Sequence, residues 1–152
     1  MYNMIIGIDP GEKGGIAFYS PKINKIVEVI KMPETPQDLY DKLYSYSNNT
    51  ICYLEKVGGM PGQGGSAMFN FGKGYGNLEM ALLALKIPTV SVTPQVWQKA
   101  LQLGTRSKTM SKTEWKNKLK AKAQQLFPYL KITLAISDAL LICEYARIKE
   151  KE

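Results

Sequence analysis

The first part of the chain alternates short apolar runs with glycine and proline turns. Residues 4–9 form an apolar run that ends at Asp9, residues 16–19 form a second run after Gly14 and Gly15, and residues 25–32 alternate apolar and polar positions. Short runs bounded by turn residues in this way are typical of β-strands. The pattern predicts three adjacent strands arranged as an antiparallel meander.

Farther along, strand-like runs alternate with helical periodicity. A fourth strand is predicted at residues 50–55, ending at Glu55, and a fifth at residues 88–92. Residues 58–76 contain eight glycines, which predicts a loop. Thr35 and Pro36 are typical of a helix start, and that helix is predicted to have an apolar face made of Leu39, Tyr40, Leu43 and Tyr44.

Four more helices complete the pattern. They are predicted for residues 77–86, for a short segment after Thr93 and Pro94, for the segment after Ser111 and for residues 137–149. Ser111 and Glu114 have the spacing of a capping box, and the helix that follows has an apolar face at Trp115, Leu119, Ala123 and Leu126. The order of elements predicts an α/β fold with a mixed five-stranded sheet flanked by helices.

Composition limits the class of protein. The 152 residues, 45% of them hydrophobic, suit one compact domain spanning residues 1–152. No apolar run approaches the ~20 residues of a membrane-spanning helix, and the N-terminal run has no basic leader and is interrupted by Asp9. We therefore expect a cytoplasmic protein with no membrane partner. Cys52 and Cys143 lie in apolar stretches, which predicts buried free thiols.

The chain contains no histidine. Catalytic dyads that need histidine, histidine general bases and most zinc sites are therefore excluded. Hydrolysis by this chain would depend on carboxylates, lysines or hard metal ions.

Most of the net charge of +7 lies in one segment. Residues 106–122 contain seven basic side chains and one acid, Glu114, a net charge of +6. Such a basic stripe fits a polyanion such as nucleic acid, and it also fits a solvated helix face. The candidate DNA contacts in and before this helix are Lys108, Lys112, Lys116, Lys118 and Lys120.

Three acids stand at the ends of predicted core elements. Asp9 and Glu55 each end an apolar strand, and Asp138 stands at the start of the last predicted helix. Buried carboxylates need a compensating charge, and their oxygens select hard ions such as Mg²⁺ or Mn²⁺. Each acid alone could equally be a helix cap, a solvated charge or half of a salt bridge, and spacing alone does not bring the three together.

Several of these segments resemble one family in order along the chain. Residues 6–17, with Ile8, Asp9, Pro10 and Gly11, resemble the opening hairpin of RuvC-type Holliday junction resolvases. Residues 53–57 around Glu55, residues 93–97 and residues 137–141 around Asp138 resemble the later motifs of that family. The glycine-rich, aromatic segment 58–76 is most similar to phage members.

The resemblance implies an RNase H-like fold, a homodimer and symmetric nicking of four-way DNA junctions in the cytoplasm of a phage's bacterial host. It implies that Asp9, Glu55 and Asp138 bind Mg²⁺, with Mn²⁺ as a substitute, and that Lys116, or else Lys118, lies near the scissile phosphate. Residues 77–86, with Leu78, Met80, Leu82 and Leu85, are the expected dimer helix. One departure is that the family has a further acid three or four residues before Asp138, where this chain has Ala135 and Leu134.

Other interpretations remain open at this point. Phe69 and Phe71, together with Lys73, could stack on unpaired bases at a branch point or anchor the predicted loop against the core. The missing acid leaves room for a junction-binding protein with little or no catalytic activity. A small RNase H-like RNA nuclease would have a similar opening hairpin. An actin-like ATPase or sugar kinase would need two such domains, so the length of the chain argues against it.

Overall fold

A computed structural model describes residues 1–58 and 64–152. Its elements are, in chain order, β1 (Met4–Asp9), β2 (Gly15–Ser20), β3 (Lys25–Lys31), α1 (Pro36–Ser45), β4 (Thr50–Glu55), α2 (Gly65–Ala84), β5 (Thr89–Val92), α3 (Pro94–Ala100), α4 (Lys112–Leu126) and α5 (Leu134–Glu150). The predicted mixed five-stranded sheet flanked by helices is confirmed.

The five strands form one sheet in the order β3-β2-β1-β4-β5. The first three strands are the predicted antiparallel meander, whereas β4 runs parallel to both β1 and β5. In this register Asp9 lies opposite Gly15, and Glu55 lies opposite Val92. Because parallel strands end at the same edge of a sheet, the ends of β1 and β4 are neighbours.

Each face of the sheet has its own apolar core. On one face, Ile5 and Tyr53 pack among side chains of α3, α4 and α5. On the other face, Ile6 and Leu54 pack among side chains of α1 and α2. The alternation along β1 and β4 therefore decides which helices each strand residue contacts.

Gly7 sets how closely α5 packs on β1. A Cβ atom at residue 7 would lie 2.5 Å from the backbone nitrogen of Cys143 and 2.7 Å from the carbonyl oxygen of Ala139. These contacts are with the helix backbone, so no side chain could move aside to make room. The absence of a side chain at Gly7 lets the helix lie directly against the central strand.

Helix α2 corrects the prediction of a loop at residues 58–76. It begins at Gly65 after the N-cap Gly64, twelve residues before the predicted helix, and includes Gly72, Gly74 and Gly76. Each glycine costs a helix about 1 kcal/mol relative to alanine. The burial of Leu78, Ala81 and Leu82 against the sheet outweighs that cost, an effect that local composition does not reveal. Residues 59–63 of the predicted loop lie outside the described residues.

The helix boundaries and faces give three smaller corrections. In α1, Leu39 and Leu43 are buried, whereas Tyr40 and Tyr44 are exposed and their rings stack on each other. Helix α5 begins at Leu134, three residues earlier than predicted, so Asp138 lies in its second turn. In the basic segment, the helix covers only the residues from Lys112 onward.

Other expectations agree with the structure. The hydroxyl of Ser111 accepts a hydrogen bond from the backbone nitrogen of Glu114 at 3.1 Å, as the capping spacing predicts. Cys52 and Cys143 are buried free thiols. Across residues 1–58 and 64–152, no helix combines the length and the apolar character needed to cross a bilayer.

Candidate active site

The three acids singled out by the sequence come together at one end of the sheet. Asp9 is the last residue of β1, and Glu55 is the last residue of the adjacent parallel strand β4. Asp138 comes from α5, which packs on β1 beside Gly7. Two strand ends and one helix therefore bring together residues that are far apart in the sequence.

Each carboxyl group influences the others. Burial raises the pKa of Asp9, and the charges of Asp138 and Glu55 raise it further. Burial also raises the pKa of Glu55, while hydrogen bonds from Trp97 and with Asp9 oppose the rise. Burial raises the pKa of Asp138 to about 6. Burial and mutual repulsion thus favour the protonated forms of these carboxyl groups, whereas a bound cation would favour the ionised forms.

Lys116 is the basic residue whose charge acts on the acids of this cluster. Its charge lowers the pKa of both Asp9 and Asp138, against the larger effect of burial. The alternative, Lys118, is turned elsewhere. Its Nζ atom donates a hydrogen bond to the carbonyl oxygen of Leu103 at 3.0 Å and lies 5.5 Å from the centre of the Trp115 ring. Of the two candidate lysines, Lys116 is the one that faces the acids.

Trp97 is a member of the site that the sequence did not identify as functional. Its indole Nε1 donates a hydrogen bond to Oε2 of Glu55 at 2.7 Å, and its side chain is completely buried. The sequence places Trp97 only on an apolar helix face. The available signal is that a buried indole nitrogen nearly always has an acceptor, but that rule does not say which acceptor.

The donor atoms of the cluster fit a hard divalent cation, which carboxylate oxygens bind in preference to soft ions. Within the described ranges, no three ligand-type side chains are already assembled into a cage for a cation. Asp9 and Glu55 instead influence each other's pKa, and Asp138 raises the pKa of both through its charge.

The aromatic residues of α2 lie on two different sides. Phe69 is 70% exposed. Phe71 packs on the turn that follows Asp9, since a Cβ atom at Gly11 would lie 3.4 Å from its ring, and Gly11 has a φ of +104° that favours glycine. Phe71 also stacks on Tyr75, with ring centres 6.1 Å apart. Phe71 therefore packs against the turn between β1 and β2 that follows Asp9, whereas the side chain of Phe69 is exposed and accessible to a ligand. Both residues are helical and do not belong to a loop.

The remaining basic candidates are accessible. Lys112 and Lys116 are exposed on α4, Lys120 is half-buried on the same helix, and Lys108 is exposed in the turn before it. Lys73 is exposed on α2, two residues after Phe71. These side chains are accessible to a polyanion. Among these lysines, Lys116 is the one whose charge lowers the pKa of Asp9 and Asp138.

Position 135 lies beside the cluster. The carbonyl oxygen of Ala135 would be 3.1 Å from a Cβ atom at Gly15, and Gly15 is the strand partner of Asp9. Ala135 is half-buried and one helical turn before Asp138, whereas Leu134 is 47% exposed. Of the two positions at which the resemblance implies a further acid, residue 135 is the one that adjoins the site.

Comparison with known proteins gives matches at the level of structure. No family model and no curated protein matches the sequence. A solved structure of T. thermophilus RuvC in complex with Holliday junction substrate has a TM-score of 0.66 at 14% identity, covering 97% of this chain and 95% of that chain. A second Thermus thermophilus RuvC structure has a TM-score of 0.59 at 13% identity, with the same coverage. The chain has the RNase H-like fold of RuvC.

Proposed function

We propose that this chain is a divalent-metal-dependent endonuclease that binds and nicks four-way DNA junctions. The observation that supports it most strongly is the meeting of Asp9, Glu55 and Asp138 at the ends of β1 and β4, beside Lys116. A buried group of carboxylates with raised pKa values, lying next to a basic side chain, has the chemistry of a cation site that acts on an anionic substrate.

The cation we propose is Mg²⁺, with Mn²⁺ as a substitute. When bound, such ions activate water and stabilise the leaving 3′ oxygen of a phosphodiester. Asp9, Glu55 and Asp138 would hold the cation through their oxygens. Lys116 would place a positive charge beside the scissile phosphate, where it offsets negative charge that develops during cleavage.

The rest of the molecule supplies the contacts that would bind DNA. The exposed lysines of α4 lie on the same helix as Lys116, and Lys108 lies in the turn before that helix, so they would direct a phosphate backbone toward the acids. Phe69, exposed near the start of α2, would stack on an unpaired base at the branch point. The Holliday junction bound by T. thermophilus RuvC, a protein of the same fold, supports branched DNA as the substrate.

A four-way junction has near-twofold symmetry and two strands to cut, so a C2 homodimer would match it. Part of the predicted dimer face is wrong, because Leu78 and Leu82 are buried in the chain's own core. The outer face of α2 instead presents Met80, 62% exposed, and Leu83, 69% exposed. We propose this outer face as the dimer contact. We also propose that residues 1–152 act as one domain in a bacterial cytoplasm, as the resemblance to phage resolvases implies.

The test is a nicking assay on a synthetic four-way junction, a linear duplex of the same sequence and an RNA–DNA hybrid, each with Mg²⁺ or with EDTA. We expect paired nicks in opposite strands of the junction only, dependent on Mg²⁺, and lost in the Asp9→Asn and Glu55→Gln variants. Cleavage of the hybrid in preference to the junction would favour an RNA nuclease. Nicking that survives both substitutions would disprove the proposed site.

A second candidate function is junction binding with little or no cleavage. Ala135 supports it, because the position next to the cluster lacks the further carboxylate that RuvC-type resolvases have. A site with three acids binds hard ions more weakly and leaves them with more water. Tight junction binding without nicks at up to tens of millimolar Mg²⁺ or Mn²⁺ would favour this function over the nuclease.

A further inference from the structure

The pairing of β4 with β5 and the start of α3 bring Trp97 next to Glu55. Glu55 ends β4 and pairs with Val92, the last residue of β5. Thr93 is the N-cap of α3, and Trp97 follows one turn later. The helix therefore begins immediately beside the Glu55 carboxylate, and its first full turn points the indole back at the strand end.

The orientation of the indole is fixed by packing. Trp97 is completely buried, and it belongs to the core cluster that contains Leu101, Trp115, Leu119 and Leu140. A buried ring in a close-packed core has little freedom to rotate. The direction of its single N–H group is therefore fixed, and so is the carboxylate oxygen that accepts from it.

This hydrogen bond is oriented and short. It joins Nε1 of Trp97 to Oε2 of Glu55 at 2.7 Å, which is at the short end of the range for a nitrogen donor. Tryptophan has only one donor and no acceptor, so it can stabilise the carboxylate but cannot compete with it for a cation. Mg²⁺ requires nearly ideal octahedral geometry, which makes the pose of each ligand matter.

We propose that Trp97 is the positioning residue for Glu55, holding its carboxylate in the pose that binds the divalent cation. This inference rests on the proposed cation site and goes beyond it, because it assigns a role in cation affinity to a residue of helix α3. Outer partners that orient a ligand typically change metal affinity by 10–100-fold when they are removed. Trp97→Phe keeps most of the ring and removes only the donor.

The first experiment measures Mn²⁺ binding by electron paramagnetic resonance in the absence of DNA. We expect the dissociation constant to rise about tenfold in Trp97→Phe. The matched control is Trp115→Phe, the same change in the same core cluster at a ring that has no carboxylate partner among the described residues, and its affinity should equal that of the wild type. Equal affinity in wild type and Trp97→Phe would overturn the inference, as would the absence of Mn²⁺ binding by the wild type.

The second experiment leaves Trp97 in place, so it does not depend on the folding of Trp97→Phe. The chain has two tryptophans, and in Trp115→Phe all indole emission comes from Trp97. Adding Mg²⁺ should change that emission, saturating at the concentration that saturates Mg²⁺ binding in calorimetry, and Glu55→Gln should abolish the change. Calorimetric Mg²⁺ binding with constant emission would overturn the inference.

The two proposals fail in different ways. If the wild type binds Mn²⁺ and Trp97→Phe binds it about tenfold more weakly, Trp97 positions Glu55 even if no junction is ever cut. If the wild type cuts junctions and Trp97→Phe shows the same cation affinity, the nuclease function stands and the role of Trp97 does not.

Discussion

Burial raises the pKa of Asp138 to about 6, and the positive charge of Lys116 on the neighbouring helix opposes that rise. The same lysine has the same effect on Asp9. A charge on α4 is therefore in electrostatic contact with acids from both β1 and α5. This arrangement brings the basic helix and the carboxylate cluster into a single site.

Replacing Lys116 should impair cleavage without weakening the fold. We expect Lys116→Gln to lower the rate of junction nicking at saturating Mg²⁺ by about 100-fold, because it removes the charge that we propose lies beside the scissile phosphate. Lys118→Gln is the matched control, since Lys118 is turned toward Leu103, and its rate should change little. Single-turnover assays with pre-bound junction measure both. Equal reductions in the two variants would contradict the assignment.

The metal-free protein should become less stable as pH rises, because the folded protein must then give up protons from its buried acids. The pKa of Asp9 is raised from 3.8 to about 9 and that of Glu55 from 4.5 to about 7, first of all by burial. The folded state thus keeps protons that the unfolded state has released, and the free energy of unfolding falls between about pH 4 and pH 9. Mg²⁺ should reverse the loss at pH 8, since it binds the ionised carboxylates.

Urea unfolding in EDTA at a series of pH values measures this dependence. Asp9→Asn should remove the slope above about pH 7, where Asp9 is the member of the cluster that still titrates, because its amide does not titrate. Asp38→Asn, a change at an exposed acid in the first turn of α1, should leave the slope unchanged. A metal-free protein that grows more stable from pH 5 to pH 8.5 would show that the cluster does not hold these protons.

A carboxylate at position 135 should lower the Mg²⁺ requirement. We expect Ala135→Asp to reduce the Mg²⁺ concentration for half-maximal nicking by about tenfold, because a further negative ligand strengthens the binding of a hard ion. Leu134→Asp is the control, since Leu134 is one position away and exposed to solvent. Titration of nicking with Mg²⁺ separates the two. If Ala135→Asp changes neither rate nor requirement, three acids are sufficient.

The lysines of α4 away from the acids should contribute to DNA affinity by neutralising phosphates. We expect Lys112→Gln with Lys120→Gln to reduce the slope of log affinity against log salt by up to about 1.8, at about 0.9 for each phosphate that is no longer neutralised. Lys22→Gln with Lys25→Gln, at exposed lysines before and at the start of β3, is the matched control. Fluorescence anisotropy on a four-way junction at several salt concentrations gives the slopes. Identical slopes for all three proteins would assign these lysines to a solvated face.

The outer face of α2 should control assembly. If the protein is a dimer, Leu83→Asp should convert it to a monomer at micromolar concentration, since it places a charge on an apolar contact. The control is Tyr44→Asp, which places the same charge on α1 at a residue about as exposed as Leu83, and it should not affect assembly. Sedimentation velocity distinguishes the species. A wild-type monomer, or a Leu83→Asp dimer, would contradict the proposed contact.

The sequence predicted the strand ends at Asp9 and Glu55 well because strand ends are local features. Apolar runs that stop at Asp9 and Glu55 mark both the strand and its boundary, and the meander of β1 to β3 needs only short turns. Helix α2 was not predictable in the same way. Its glycine-rich N-terminal half lowers the helix propensity of the segment, and the helix is stabilised by Leu78 and Leu82 packing on the sheet.

The contact between Trp97 and Glu55 could not be predicted for a related reason. Their separation along the chain is large, and their meeting depends on the register of β4 against β5 and on the packing of α3. A tryptophan in an apolar helix face predicts burial, which is correct. It does not predict the direction of one N–H group, which is a property of the assembled core.

Gly7 has a further consequence because it determines the distance between helix α5 and strand β1. A side chain there would meet the backbone of Ala139 and Cys143 and push the helix outward. Asp138 would move with that helix, whereas Asp9 would stay on the strand. A folded Gly7→Ala protein should therefore retain every carboxylate and still bind Mn²⁺ poorly, a result that calorimetry would detect. The distance between the acids of the cluster is thus determined at a residue that has no functional group.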